Sequence, residues 1–201
     1  MLKYDCPECE VSCDDYVLPA VQSEYCPATM TLELAEIKRI LLAEVDATTK
    51  EAVGAPADWL DDTLWDAAID NATSNTIKSL YGIGDVAEPE GKVVTVHDGQ
   101  EVNLEDTYTL VFDVQDTNAT NYTAARSLSA CKGRYFLWYE TRGNFLYGGQ
   151  SGIPVNLVRV TSPNERGADA YKVIKFYFKW IASCLPERAA SPFADAAVPT
   201  P

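Results

Sequence analysis

RYFLWYETRGNFLYGG, residues Arg134 to Gly149, holds the densest aromatic cluster in the chain and reads as strand, tight turn and strand. In an extended chain Tyr135, Leu137 and Tyr139 point one way, while Phe136 and Trp138 point the other. Arg142, Gly143 and Asn144 supply turn residues that tolerate positive φ, and Gly148-Gly149 ends the second arm. A strand that is apolar on both faces needs cover on both. One cover is the domain's own core; the other is a second layer or a neighbouring subunit. Nothing in the hairpin positions an acid, a base or a nucleophile, so its role reads as architectural.

Outward from the hairpin, the alternation continues. The cleanest strand signal is Tyr171–Ile181, where Ile174, Phe176, Phe178 and Trp180 alternate with Lys175, Tyr177 and Lys179. One face is core; the other is a basic, aromatic stripe suited to an acidic surface of another copy. Val155–Val160 is its expected partner across the turn-forming residues 162–167. Tyr108, Leu110, Phe112 and Val114 mark another half-buried strand. Ile77–Ile83 and Val93–Val96 are expected as two strands separated by Pro89 and Gly91, with His97-Asp98-Gly99 as a hairpin turn.

Two helices are expected. Asp58 is placed to cap Trp59–Ile69, with Asp61 and Asp62 in the acidic first turn and Trp59, Leu60, Leu64, Ala67 and Ala68 as the buried stripe. Asp116 or Thr117 opens the second, which runs through about residue 130 before Gly133 stops it. Thr31–Val45 fits either period: Leu34, Ile37, Leu41 and Val45 form a helical face, whereas Ile37, Leu41, Ala43 and Val45 form a strand face. Local propensity tips it slightly towards helix.

At 201 residues and 47% hydrophobic content, the chain suits one domain with arms and is not disordered throughout. The net charge of −14 argues against a sequence-reading nucleic-acid binder. Met1–Ser12 lacks the basic start and apolar core of a secretory signal, and no apolar run approaches the ~18 residues of a membrane span. The division expected is a Cys/Pro-rich arm at 1–30, a β-rich core at 31–185 and an Ala/Pro-rich tail at 186–201.

Cys6, Cys9, Cys13 and Cys26 crowd the arm with spacing C-x2-C-x3-C-x12-C. A tetrahedral zinc site needs four thiolates brought in by tight turns, and this set is close to that pattern, although its second pair is irregular. Disulfides or plain reduced thiols are the competing readings. Cys131 and Cys184 sit beside core elements and read as buried small apolar groups. The carboxylates at Asp14-Asp15, Asp61-Asp62, Glu88, Glu90 and Glu105-Asp106 read as solvated surface charge. Gly82-Ile83-Gly84-Asp85 lacks the Lys-Ser/Thr of a phosphate loop, and Gly148–Gly152 lacks a well-placed His partner; the chain has one His. No enzymatic activity and no cofactor beyond a structural zinc are expected.

The order of elements carries a resemblance. EIKRILLAEVDA, DWLDDTLWDAAI, GIGDVAEPEG and ARSLSACKGRYFLWYETRGNFLYGG follow one another much as in virion structural proteins of tailed phages infecting Bacteroidetes, across roughly residues 31–185. More distantly the chain is similar to phage tail tube proteins, in which a β-sandwich with a flanking helix assembles into stacked rings. The resemblance makes Ile37–Val45 a strand. It implies an α+β, β-rich fold: an antiparallel sandwich or barrel-like core, two short flanking helices and extended arms. It also implies a self-assembling virion subunit of the tail, made in the host cytoplasm, contacting copies of itself in a ring or tube and other virion proteins, with no membrane. The expected interface is Tyr135, Trp138, Tyr139, Lys175, Tyr177 and Lys179. A capsid-decorating or head–tail junction protein and a zinc-stabilised binding module are the alternatives.

Overall fold

The structure, a computed structural model, describes residues 3–4, 36–70, 72, 76–95, 101–115, 119–131, 134–162 and 173–193. In chain order the elements are β1 (Lys3–Tyr4), β2 (Ile37–Glu44), α1 (Asp62–Ala68), β3 (Lys78–Thr95), β4 (Glu101–Gln115), α2 (Ala119–Cys131), β5 (Arg134–Thr141), β6 (Phe145–Tyr147), β7 (Ile153–Thr161), β8 (Val173–Ala182) and β9 (Arg188–Ala190). Six of the strands close a circuit, β2–β3–β4–β8–β7–β5 and back to β2, and every neighbouring pair is antiparallel. Closure removes the edges that a sandwich would expose. The β-rich core expected from alternation is therefore a barrel.

A barrel this narrow is filled by its own side chains. Leu110 and Phe112 from β4, Leu137 from β5, Ile153 and Val155 from β7, and Phe178 and Trp180 from β8 are buried inside. Tyr108 stacks on Trp180 with ring centroids 5.2 Å apart. Helix α2 lies against β7 and buries Ala125.

A second, smaller core lies outside the barrel wall. Leu41 and Ala43 of β2 and Phe136 and Trp138 of β5 point away from the interior and are covered by Trp65, Ile77 and Leu146. Helix α1 is the lid of this layer, and it is shorter than the sequence suggests. Asp61, not Asp58, is the N-cap and accepts from the Thr63 N–H at 2.9 Å, while Asp58 serves the turn before it through the Leu60 N–H. Trp65 is the fully buried member, and Leu60 is exposed. The Trp65 Nε1–H donates to the Trp59 carbonyl at 2.9 Å, so the two tryptophans hold each other as part of the lid.

Two differences from expectation, and the outcome of one segment that fits either period, are as follows. Residues 78–95 form one continuous strand because Pro89 falls in a register shift between Ala87 and Glu90, where the ladder does not require the N–H that proline lacks. Residues 37–44 adopt the strand that the resemblance implies, because β3 and β5 flank them on both sides. Folded structure also continues past residue 185. Pro186 is buried, β9 pairs with β6, and Phe193 packs against Trp65 with ring centroids 5.7 Å apart. At the other end, β1 lies parallel on β8, with Lys3 opposite Ile181 and Tyr4 opposite Ala182. Among the described residues no helix is long and apolar enough to cross a membrane.

Candidate assembly surface

The aromatic hairpin is satisfied by its own chain. Tyr135 and Tyr139 belong to the barrel core, Trp138 to the outer layer, and all three are buried. They are not available to a neighbour on the protomer surface, which corrects the interface expected from sequence. The second cover that β5 needs is intramolecular: α1, the loop after β2 and the segment that ends in Phe193.

The other half of that expectation lies on the surface. Lys175, Tyr177 and Lys179 alternate outward from β8 and are half-buried, while their neighbours on the strand fill the barrel. Lys175 pairs with Asp113 at 2.9 Å. A register shift in β7 between Leu157 and Arg159 turns both Val158 and Arg159 outward. Arg159 then sits over the Tyr177 ring, its Cζ 4.1 Å from the centroid. Arg159, Tyr177, Lys179 and the 40% exposed Val158 thus form one cationic, aromatic band across β7 and β8. On an acidic chain, such a band is where a like-charged copy can approach without repulsion.

An open cavity of about 600 Å³ lies near one end of the barrel, lined in part by Glu36, Asp85, Asp113, Lys175, Tyr139 and Tyr147. Burial, then the neighbouring Tyr147 and Tyr108, hold the Tyr139 phenol well above its usual range. Burial and the Asp106 charge push Tyr108 up in the same way. Both phenols are therefore neutral near pH 7 and serve as packing groups with a polar tip. In the cavity wall Lys175 pairs with Asp113, and Glu36 pairs with Arg142 beside it. These side chains do not assemble a nucleophile with a base.

No family model matches the chain, and no curated protein matches it. Among solved structures, a chain of the "Virion of native gene transfer agent (GTA) particle" shares 10% identity and superposes with a TM-score of 0.38, covering 57% of this chain and 89% of that one. This is a likeness in the path of part of the chain.

Cys6, Cys9, Cys13 and Cys26 lie outside the described residues, and among the described residues no cluster of three or more His, Cys, Asp or Glu is placed to hold a metal. Cys184 is one of the two cysteines expected to be a buried small apolar group. It packs against the barrel core, but it is disulfide-bonded. Sequence spacing gives no hint of this, because disulfide partners meet through the fold. Native disulfides contribute about 2–4 kcal/mol. Reductant is therefore expected to lower the urea midpoint of the oxidised protein, and Cys184→Ser to lower it to a similar extent. A thiol count on the unfolded, unreduced chain that finds every cysteine free would refute the bond.

Sequence reasoning also missed a buried charged cluster. Arg39 and Glu140 face each other across the β2–β5 pairing and are 6% and 2% exposed. The Arg39 Nη2 lies 2.8 Å from Glu140 Oε2, and Lys38 Nζ lies 3.2 Å from Oε1. Ser191 donates its hydroxyl to Glu140 Oε1 at 2.5 Å, and the Arg39 Cζ sits over the Phe193 ring, 3.5 Å from its centroid. The signal available in advance was weak: Lys38-Arg39 near the start of one largely apolar strand and Glu140 near the end of another. This cluster fastens the end of the described chain to the barrel.

Proposed function

We propose that this chain is a self-assembling structural subunit of a phage-like virion, placed in the tail. The observation that carries the proposal is the band of Arg159, Val158, Tyr177 and Lys179, a cationic surface on a subunit of net charge −14. A subunit with a basic patch and a strongly negative net charge favours head-to-tail contact between copies. A heterologous contact of that kind closes into rings when its rotation permits. The sequence resemblance to virion proteins supports the same reading. An acidic ring suits a channel that passes DNA, because like charge keeps the phosphate backbone from adhering.

The test is negative-stain microscopy of the purified chain together with its mass in solution, across a concentration series and at low and high salt. Rings or tubes of fixed diameter that weaken as salt rises are the expected result. A strict monomer at the highest concentration overturns the self-assembly reading.

A further inference from the structure

The β3–β4 hairpin overruns the barrel that carries it. On β3, pairing with β2 ends at Gly84, opposite Ile37; on β4, pairing with β8 begins at Asp106, opposite Ala182. Beyond those points, among the described residues, the two strands pair only with each other, out to Thr95 opposite Glu101. The eight residues 88–95 alone span roughly 26 Å of ribbon at the usual strand rise. A two-stranded ribbon with no third strand and no core of its own is marginal in water. This one also exposes apolar groups: Val93 is 55% and Val94 37% accessible.

Its free edges are poor templates for adding a strand. Pro89 removes a donor, two register shifts break the ladder between Ala87 and Val93, and charged residues line the run. The ribbon is therefore built to meet a partner through its side chains. Glu88 and Glu90 are exposed and have no cationic partner among the described residues. The matching surface is the β7–β8 band, where Lys179 and Arg159 carry positive charge with no carboxylate paired to them among the described residues, beside apolar Val158 and the Tyr177 ring. The ribbon cannot reach the band of its own protomer. Lys179 and Tyr177 lie opposite Thr109 and Val111, and β4 leads from there past Asp106 away from them.

We infer that the acidic β3–β4 ribbon of one copy docks on the Arg159–Tyr177–Lys179 band of the next. This rests on the self-assembly reading and specifies its contact: Glu88 and Glu90 against Lys179 and Arg159, with Val93 and Val94 beside Val158 and Tyr177. The contact is heterologous, so each copy donates one ribbon and accepts one.

Complementary charge reversal tests it. A ribbon variant, Glu88→Lys with Glu90→Lys, and a band variant, Arg159→Glu with Lys179→Glu, alter exposed or half-exposed side chains, and unfolding curves matching wild type establish that each folds. Each variant alone is expected to raise the concentration needed for assembly by about tenfold or more, the effect of placing like charges in contact. An equimolar mixture of the two, or one chain carrying all four changes, is expected to recover assembly, because reversed ribbon meets reversed band. Wild-type-like assembly by either single variant, or no recovery in the mixture, overturns the ribbon–band contact while leaving self-assembly standing. A wild-type chain that never assembles overturns both.

Discussion

Trp138→Ala is expected to cost about 3–5 kcal/mol, the range for truncating a large buried aromatic and leaving a cavity. Domains of this kind are stable by only about 5–15 kcal/mol, so the variant would sit close to unfolding at ordinary temperature. The expectation rests on how the indole is held. Its edge meets Trp65 at a centroid distance of 5.3 Å and an interplanar angle of 83°, a favourable T-shaped pair. Its Nε1–H donates to the Gly149 carbonyl at 2.8 Å. Two glycines with positive φ close around it, and a Cβ on either Gly148 or Gly152 would stand 2.6 Å from an indole carbon. The surroundings are too rigid to collapse into the space left by the ring. Trp138→Phe keeps most of the volume but strands the Gly149 carbonyl, so a smaller loss of about 1–3 kcal/mol is expected. Gly152→Ala should also destabilise, since it combines a left-handed backbone with a clash. Urea unfolding of the three variants measures all of this. A Trp138→Ala protein as stable as wild type but unable to assemble would return Trp138 to a subunit interface and undo the two-layer account of β5.

That residue shows what the sequence discloses and what it withholds. Alternation in RYFLWYET establishes that both faces of β5 are apolar, and it assigns Tyr135, Leu137 and Tyr139 to one side and Phe136 and Trp138 to the other. It does not say who covers the second face, because cover comes from distant segments whose docking leaves no periodic mark. The same limit explains Phe193 and β9, which a reading of composition consigns to a tail. The β7–β8 pairing is the one expected across the 162–167 turn, but barrel closure through β5–β7 follows from a pairing choice among strands of similar character, which alternation alone leaves open. Pro89 misleads for the opposite reason: its usual meaning as a strand breaker is cancelled by a bulge at that position. Of the candidate site, the period-two pattern of β8 did give Lys175, Tyr177 and Lys179 as an outward set. Arg159 joined them only through a β7 register shift, and the ribbon emerged only once the strands' unequal lengths were known.

Glu140→Leu is expected to be as damaging as the loss of Trp138, by a different mechanism. The carboxylate is 2% exposed and answers Arg39, Lys38 and the Ser191 hydroxyl at once. Removing it leaves a guanidinium buried between β2, β5 and the Phe193 ring. Its other contacts among the described residues are one hydrogen bond, Nη1–H to the Tyr81 hydroxyl at 3.2 Å, and the aromatic faces around it; there the Nε has no hydrogen-bond partner and the Nη2 has only its ion pair with Glu140. Breaking a buried pair from one side costs about 3–5 kcal/mol, most of it the penalty of the charge left behind. Arg39→Met should cost less, because Glu140 retains Lys38 and Ser191. The double variant Arg39→Met with Glu140→Leu should recover much of the loss, since two apolar side chains of similar volume replace two desolvated charges. The cycle therefore predicts that the two changes are far from additive. It also predicts a spatially distant readout. Ser191 and Phe193 are held by this cluster and Phe193 touches Trp65, so Glu140→Leu should alter tryptophan fluorescence and open the chain after β9 to protease before global unfolding. Loss of stability under about 1 kcal/mol, or strict additivity in the cycle, would mean that the cluster is solvated in solution and that apolar packing of Phe193 alone holds the end of the chain.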